Sequence, residues 1–196
     1  MVAPDHPRLL SIIAGACTVA GGNIVDAQVF TTTDGRALDS ISIGREFDDE
    51  ADEMRRGRKI GDLIEQALSG TVRLPEIVAR KAQPRARLKA FTLETSILVD
   101  NSWSNQFTVI EASGLDRPGL LYDLTRAISD LNLNIASAHI VTFGERAVDV
   151  FYVTDLVGHK ITNANREAAI RRRLRAAFDG AANGEPTRAA RKREPA

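Results

Sequence analysis

The sequence predicts an α+β protein built from two copies of a strand–helix–strand–strand–helix unit. A hexapeptide occurs twice, as Asp-His-Pro-Arg-Leu-Leu at residues 5–10 and as Asp-Arg-Pro-Gly-Leu-Leu at residues 116–121. The hydrophobic pattern that follows each hexapeptide repeats at the same offset of 111 residues. The chain has 196 residues, 43% of them hydrophobic, which is enough for two small domains with packed cores.

The hexapeptide of each copy leads into an amphipathic helix. Apolar residues follow at i, i+1, i+4, i+7, i+8 and i+11, a spacing that forms one stripe along a helix. The two stripes are Leu9, Leu10, Ile13, Ala16, Cys17 and Ala20, and Leu120, Leu121, Leu124, Ala127, Ile128 and Leu131. Asp5 and Asp116 are predicted to cap these helices, and Pro7 and Pro118 fall where a first-turn proline is tolerated.

Two strands and a charged helix follow in each copy. The predicted strands are 23–32 and 37–43 in copy one, and 134–143 and 147–153 in copy two. The turn between the strands is one residue shorter in copy two, so the offset drops to 110 and Asp39 matches Asp149. The predicted helices are about 50–69 and 163–178. Their inward residues are Ile60, Leu63, Ile64, Ala67 and Leu68 in the first, and Ile170, Leu174, Ala177 and Phe178 in the second.

A strand over 106–113 precedes the helix of copy two, which gives the split βαβ pattern of ferredoxin-like domains with both helices on one face. Only residues 1–4 precede the hexapeptide of copy one. The sequence therefore predicts two ferredoxin-like (βαββαβ) domains, the first without its initial strand and the second without its final strand. We also expect the chain to begin inside a longer protein.

The predicted domains are residues 1–70 and 91–179. A basic linker over 71–90 separates them, and a disordered basic tail covers 180–196. Residues 91–99 are predicted to form an extra strand. This strand either completes copy one or fills the empty edge of copy two by pairing with 107–113 as a hairpin, and the second alternative is preferred.

Composition excludes several classes of protein. Lys and Arg together number 26, as do Asp and Glu, so global charge gives no reason to expect a nucleic-acid partner. The one cysteine, Cys17, cannot form an internal disulfide framework, and we expect a cytoplasmic protein. No apolar run is long enough for a membrane helix, so no membrane partner is expected.

No catalytic motif is present. The sequence lacks a phosphate-binding loop, an HExxH helix, a nucleophile elbow and a CxxC pair, so we expect no catalytic residues in this chain. The three histidines lack metal-ligand spacing, and no metal site is expected. The acidic run over 48–53 suits either a cation site or the solvated first turn of a helix, and the second interpretation is preferred.

The residues Asp116-Arg117-Pro118-Gly119-Leu120-Leu121, followed by Asn134-Ile135 after the helix, resemble the signature of ACT domains. These are small regulatory modules that mostly bind amino acids. The stretch 107–122, together with 3–7 and 30–35 of copy one, is similar to the tandem ACT region at the C-terminus of bacterial PII uridylyltransferase/uridylyl-removing enzymes. The resemblance covers nearly the whole chain except the basic tail.

The resemblance implies a non-catalytic regulatory region that senses glutamine and biases a bifunctional parent enzyme. The implied parent attaches UMP to the PII protein and removes it with a metal-dependent hydrolase domain, which implies a divalent metal such as Mg²⁺. The resemblance implies no cofactor for this chain itself. It implies glutamine as the effector. The implied partners are glutamine, the catalytic domains of the parent, PII through the parent, and a second copy of the chain through ACT pairing.

The candidate ligand-binding residues follow from the chemistry of an amino acid. Helix N-termini hold a carboxylate, Asp116 suits an ammonium group, and Asn134 both donates and accepts towards a side-chain amide. Copy one has Arg8 where copy two has Gly119. The full set is Asp116, Arg117, Pro118, Gly119, Leu120, Asn134, Ile135 and Ala136 in copy two, and Asp5, His6, Pro7, Arg8, Leu9, Asn23, Ile24 and Val25 in copy one.

Three alternatives remain open from the sequence. Asp5 and Asp116 could act only as helix caps, and Asn23 and Asn134 only as turn residues. The whole region could be a structural module that dimerises the parent and binds no ligand. The chain could also be a stand-alone enzyme that uses the acidic run.

Overall fold

The computed structural model describes residues 2–4, 6, 8–44, 48–81 and 93–179. Within this part of the chain the α+β class is confirmed. The elements in chain order are β1 (Val2–Pro4), α1 (Leu9–Ala20), β2 (Ile24–Thr31), β3 (Arg36–Ile43), α2 (Glu50–Leu68), α3 (Leu74–Lys81), β4 (Ser96–Asp100), β5 (Thr108–Leu115), α4 (Leu120–Asp130), β6 (Leu133–Phe143), β7 (Arg146–Asp155) and α5 (Ala164–Phe178).

The described strands form one antiparallel sheet in the order β1-β3-β2-β6-β7-β5-β4. Strands β2 and β6 occupy equivalent places in the two repeats, and they pair with each other. Their register is centred on Gln28 opposite His139, which are equivalent residues at the repeat offset of 111. The two repeats are therefore related by a pseudo-twofold axis at this pair, within one continuous sheet.

The helices pack together as one layer on the sheet. Helix α1 contacts α2, α3 and α4, and α4 also contacts α5, so the two repeats share their helix layer. The first five residues of each apolar stripe on α1 and α4 are buried, as predicted, whereas Ala20 and Leu131 at the ends of the stripes are half-buried. Cys17 is 1% exposed in this core, and burial raises the pKa of its thiol to about 11. The predicted core role of Cys17 is confirmed.

The opposite face of the sheet carries an aromatic row. Phe30 on β2, His139 on β6, Tyr152 on β7 and Phe107 before β5 make successive edge-to-face contacts at centroid distances of 6.1–6.5 Å. This row crosses the boundary between the repeats. It stabilises the junction from the face that the helices do not cover.

The structure corrects the prediction that copy one lacks its first strand. Strand β1 is short, but its three residues pair with β3, which is the place of the missing strand. The extra strand predicted over 91–99 is β4, and it begins at Ser96. It pairs antiparallel with β5, as in the preferred alternative, and occupies the free edge of copy two.

Residues 71–90 are more than a linker. Helix α3 forms within them, and its Leu74 and Val78 are buried against the core. Leu68, predicted to face inward from α2, is 47% exposed because it lies at the last turn of that helix. The basic tail predicted over 180–196 and residues 82–90 lie outside the described residues.

Candidate functional site

The repeated hexapeptide of copy two forms the turn between β5 and α4. Gly119 is the N-cap residue of α4 and has φ +82°, a conformation that favours glycine. A Cβ at this position would lie 3.4 Å from the Thr18 side chain of α1, so the turn sits close against the other repeat. The turn is thus part of the junction between the repeats.

Asp116 does not cap α4, and the prediction that it would is wrong. Its carboxylate accepts a hydrogen bond from the Arg117 N–H at 2.8 Å and another from the side chain of Asn23. Burial raises the pKa of Asp116 above its usual value, while these hydrogen bonds act in the opposite direction. The N-cap residue of α4 is Gly119, and no side chain at this position accepts a hydrogen bond from the N–H groups of the first turn.

Arg117 has a structural role. Its guanidinium donates to the Asp123 carboxylate at 2.6 Å and to the backbone carbonyls of Ala177 and Phe178 at the end of α5. Asp123 is 3% exposed, so this ion pair is largely shielded from water. The Arg117 side chain therefore holds the turn against the end of α5, and its predicted contact with a ligand stays a prediction.

A cavity of about 30 Å³ lies where the Asp116 turn meets copy one. We call it the larger junction cavity. Copy one contributes Ala14, Thr18, Gly22, Asn23 and Ile24, and copy two contributes Asp116, Arg117, Gly119, Leu120, Leu121, Ile140, Thr142, Ala147 and Asp149. Its volume holds one or two water molecules, roughly, so the ligand-free site is closed to a whole amino acid.

A smaller junction cavity of about 10 Å³ lies on the other side of the pseudo-twofold axis. Its lining residues are His6, Leu9, Leu10, Val29, Ala37, Asp39, Asn134 and Ile135. Each of these eight residues has an equivalent in the larger cavity. Both cavities therefore combine a turn and a third strand from one repeat with the Asn-Ile pair from the other.

The sequence predicts one site formed by Asp116, Asn134 and Ile135, but the structure places these residues at different cavities. Asn134 and Ile135 line the smaller cavity, and the structure does not bring them to Asp116. Asn23 takes that place instead. The sequence does not show this exchange, because it results from the pairing of β2 with β6.

The remaining candidate residues are scattered. Val25 and Ala136 lie at equivalent register shifts in β2 and β6, and neither lines a junction cavity. Pro118 precedes the Gly119 cap and also lines neither cavity. Arg8, the N-cap residue of α1, has φ −106°, so the copy-one turn differs in backbone from Gly119. Asp5 and Pro7 lie outside the described residues.

Asp149 and Asp39 were missed as site residues. Asp149 is 2% exposed, and its Oδ1 has no hydrogen-bond partner among the described residues. Burial, and secondarily the Asp116 carboxylate, raises the pKa of Asp149 to about 8. Asp149 follows Ala147 and precedes Phe151 in the core-facing row of β7, and this acidic residue in an apolar row was the available signal.

A wider cavity, of about 480 Å³, lies elsewhere in the described part of the chain. It is an open groove between α1, α3 and α4 that includes Arg8, Ile12, Leu74 and Tyr122. Its charged residues include exposed ion pairs, Arg73 with Glu76 and Arg126 with Asp130. We assign the candidate site to the larger junction cavity, because buried polar groups converge there despite its smaller volume.

The other sequence interpretations concern metals and membranes. Asp49 caps α2 by accepting a hydrogen bond from the Ala51 N–H at 2.8 Å, which supports the helix-start interpretation of the acidic run. Among the described residues, no group of three or more His, Cys, Asp or Glu side chains could hold a metal ion. None of the described helices is long and apolar enough to cross a membrane.

Comparison with known proteins matches part of this chain to a domain family and most of it to a segment of longer relatives. Residues 96–180 match the model of the ACR9-like, ACT-like domain. The chain is 63% identical over 172 residues to a bifunctional uridylyltransferase/uridylyl-removing enzyme of Nitrobacter hamburgensis, covering 88% of this chain and 18% of that protein. It is 64% identical over 176 residues to the protein of that name from Rhodopseudomonas palustris, covering 89% of this chain and 19% of the relative.

A third relative, from Bradyrhizobium diazoefficiens, has the same name and is 62% identical over 172 residues, or 88% of this chain and 18% of the relative. The chain thus spans less than one fifth of the length of the curated relatives it matches. Residues 96–180 are thus similar to the ACT-like domain family, within a chain that is similar over most of its length to a segment of bifunctional uridylyltransferase/uridylyl-removing enzymes.

Proposed function

We propose that this chain is a tandem ACT regulatory region that binds glutamine in the larger junction cavity. The observation that carries the proposal is the composition of this cavity. It combines the Asp116 turn and the first turn of α4 with Asn23 and Ile24 of the other repeat. One small zwitterion bound there would contact both repeats at once.

The chemistry of the cavity fits an amino acid. The start of α4 offers N–H groups and partial positive charge to an α-carboxylate, and Gly119 allows a close approach. Asn23 carries both a donor and an acceptor, so it can exchange paired hydrogen bonds with a side-chain amide. Ile24 and Leu121 provide apolar surface for the methylene groups of the ligand.

The small volume of the cavity supports a regulatory role. Glutamine is too large for about 30 Å³, so binding requires the Asp116 turn and α1 of the other repeat to separate. A ligand that binds only the separated arrangement shifts the population towards it. Glutamine would therefore change the relation between the repeats, and this change is what attached catalytic domains would sense.

We extend the proposal to the longer protein. The relatives are named for uridylyl transfer and removal, and we infer that this segment biases the same two activities in its own parent. On this proposal the substrate is the PII protein, the parent uses a divalent metal such as Mg²⁺, and copies of the parent pair through their ACT regions. Glutamine would favour uridylyl removal.

A structural module without a ligand is the second candidate. The continuous sheet and the nearly closed cavity favour it, because both are expected of two repeats that only hold each other together. The two candidates differ in whether glutamine changes the chain.

Titration calorimetry of the 196-residue chain with glutamine, together with thermal melting, tests the proposal. We expect heat of binding and a higher melting temperature with glutamine, since a ligand that binds only the folded state stabilises it. Asn23→Ala should weaken binding by about 10-fold or more, because it removes hydrogen bonds inside a desolvated site.

Asn134→Ala is the matched control, because Asn134 is the equivalent residue at the smaller junction cavity. We expect it to leave glutamine affinity within about 2-fold of the wild-type value. The opposite ranking of the two variants would place the ligand in the smaller cavity. Absence of heat and of stabilisation in the wild-type chain would favour the structural module.

A further inference from the structure

The third strand of copy two carries a carboxylate that the fold does not require. Asp149 lies opposite Ile140 on β6 and Ala112 on β5, in a row of buried apolar side chains. A carboxyl group here has a large desolvation cost and gains no packing that an apolar residue would not provide. Asp149 lines the larger junction cavity, and its Oδ1 has no hydrogen-bond partner among the described residues.

We propose that Asp149 is the counter-ion for a primary ammonium group, so that the larger junction cavity selects ligands carrying a free amino group. This inference rests on the proposed function. There the start of α4 binds the α-carboxylate of the ligand and Asn23 binds its side-chain amide, and here Asp149 binds its amino group. The cavity of about 30 Å³ beside Asp149 has the size of one small polar group. An ammonium placed there would lie between Asp149 and Asp116.

Among the described residues that line the cavity, no cationic side chain is available to pair with Asp149. Arg117 is the one basic residue among the described lining residues, and its guanidinium is held by Asp123 and the carbonyl of Ala177. The residues that α1 and β6 contribute are Ala14, Thr18, Ile140 and Thr142, none of which titrates. Glu145 adds negative charge near Asp116. The local field therefore favours a cation from outside the chain.

Ligand binding should then change the protonation of Asp149. Burial raises the pKa of this carboxyl to about 8, so the ligand-free chain holds a proton there at pH 7. An ammonium in contact favours the ionised carboxylate, and the proton passes to the buffer while the ligand keeps its own charge. Binding at pH 7 should release up to about one proton.

Calorimetry of the 196-residue chain in two buffers of different ionisation enthalpy measures this release directly. We expect proton release with wild-type chain and glutamine, and none with Asp149→Asn, which should also weaken glutamine binding by about 10-fold or more. The second probe is 4-carbamoylbutanoate, which is glutamine without its amino group. The wild-type chain should discriminate strongly against it, and Asp149→Asn should lose most of this discrimination.

Glu111→Gln is the control for loss of a carboxylate from the sheet, since Glu111 lies on the neighbouring strand opposite Val150. It should preserve affinity, proton release and discrimination. If wild-type chain does not bind glutamine, both the proposed function and this inference fall. If it binds and Asp149→Asn keeps the affinity and the preference for glutamine, only this inference is wrong. Unchanged far-ultraviolet circular dichroism of the variant establishes that it is folded.

Discussion

At the scale of single residues, the buried carboxyl of Asp149 links stability to pH. Its pKa is raised from 3.8 to about 8 by burial, and the pKa of neighbouring Asp116 is raised in the same direction. Between about pH 4 and pH 8 the folded chain keeps a proton that the unfolded chain releases. Asp149 therefore stabilises the folded chain fully at pH values below the pKa that its carboxyl has in the unfolded chain. This stabilisation is lost as the pH rises towards 8, the pKa in the folded chain.

We expect the free energy of unfolding of the ligand-free wild-type chain to fall between about pH 5 and pH 8 relative to Asp149→Asn. A full proton difference corresponds to about 1.4 kcal/mol per pH unit, which is an upper limit for this slope. Urea unfolding of both chains at several pH values measures it. Parallel pH profiles would show that the carboxyl ionises at its usual pKa when folded.

The contrast between Asn23 and Asp149 shows how far single residues could be interpreted from sequence. Asn23 was predicted because its dipeptide with Ile24 recurs at 134–135. Its actual neighbour, Asp116, could not be predicted, because periodicity describes a repeat and not the contact between repeats. The position of Asp149 in the apolar row of β7 was visible, but the row alone does not identify a cavity.

At the scale of secondary-structure elements, α3 is the helix that sequence interpretation missed. Its buried residues Leu74 and Val78 have helical spacing, but they lie among arginines and a proline, which resemble a linker. Helices α1 and α4, each with a stripe of six apolar residues, were predicted within a residue or two. A long amphipathic pattern predicts a helix more reliably than a short one does. Helix α3 has only eight residues, and its burial depends on its contacts with other helices.

Gly15 of α1 provides a test of this packing. A Cβ at Gly15 would lie 2.6 Å from Leu74 Cδ2 and 2.9 Å from Tyr122, so α3 and α4 approach α1 too closely for alanine. Gly15→Ala should therefore destabilise the chain by about 1–3 kcal/mol, despite the better helix propensity of alanine.

Gly57→Ala in α2 is the matched control, since none of the described atoms outside its own helix turn lies within 4 Å of the Cβ that alanine would add there. It should stabilise the chain by about 0.5–1 kcal/mol through helix propensity alone. Denaturant midpoints of the two variants give the comparison. Equal stabilisation by both substitutions would mean that α3 does not pack against Gly15.

At the scale of the whole molecule, the α+β class could be predicted from the sequence, and the joining of the strands into one sheet could not. Strand β1, with three residues, is too short for any alternation to be recognised. The pairing of β2 with β6 joins residues more than 100 positions apart, and it depends on two exposed edges meeting rather than on local pattern.

The register centred on Gln28 and His139 has a consequence for a single repeat. A fragment of residues 93–179 would present β6 as a free edge, and a second fragment can offer it the equivalent strand in the same register. We expect such fragments to form dimers with isologous symmetry. Sedimentation should show a mass that rises with concentration to twice that of the fragment, whereas a monomer at all concentrations would contradict this.

The two-repeat chain would then be a dimer fused by gene duplication, in which each half has since been free to change. The two turns differ at equivalent positions, with Gly119 in one repeat and Arg8 in the other. Two identical subunits related by symmetry form two identical pockets. Two fused repeats can differ in sequence, so the pair can have a single functional pocket.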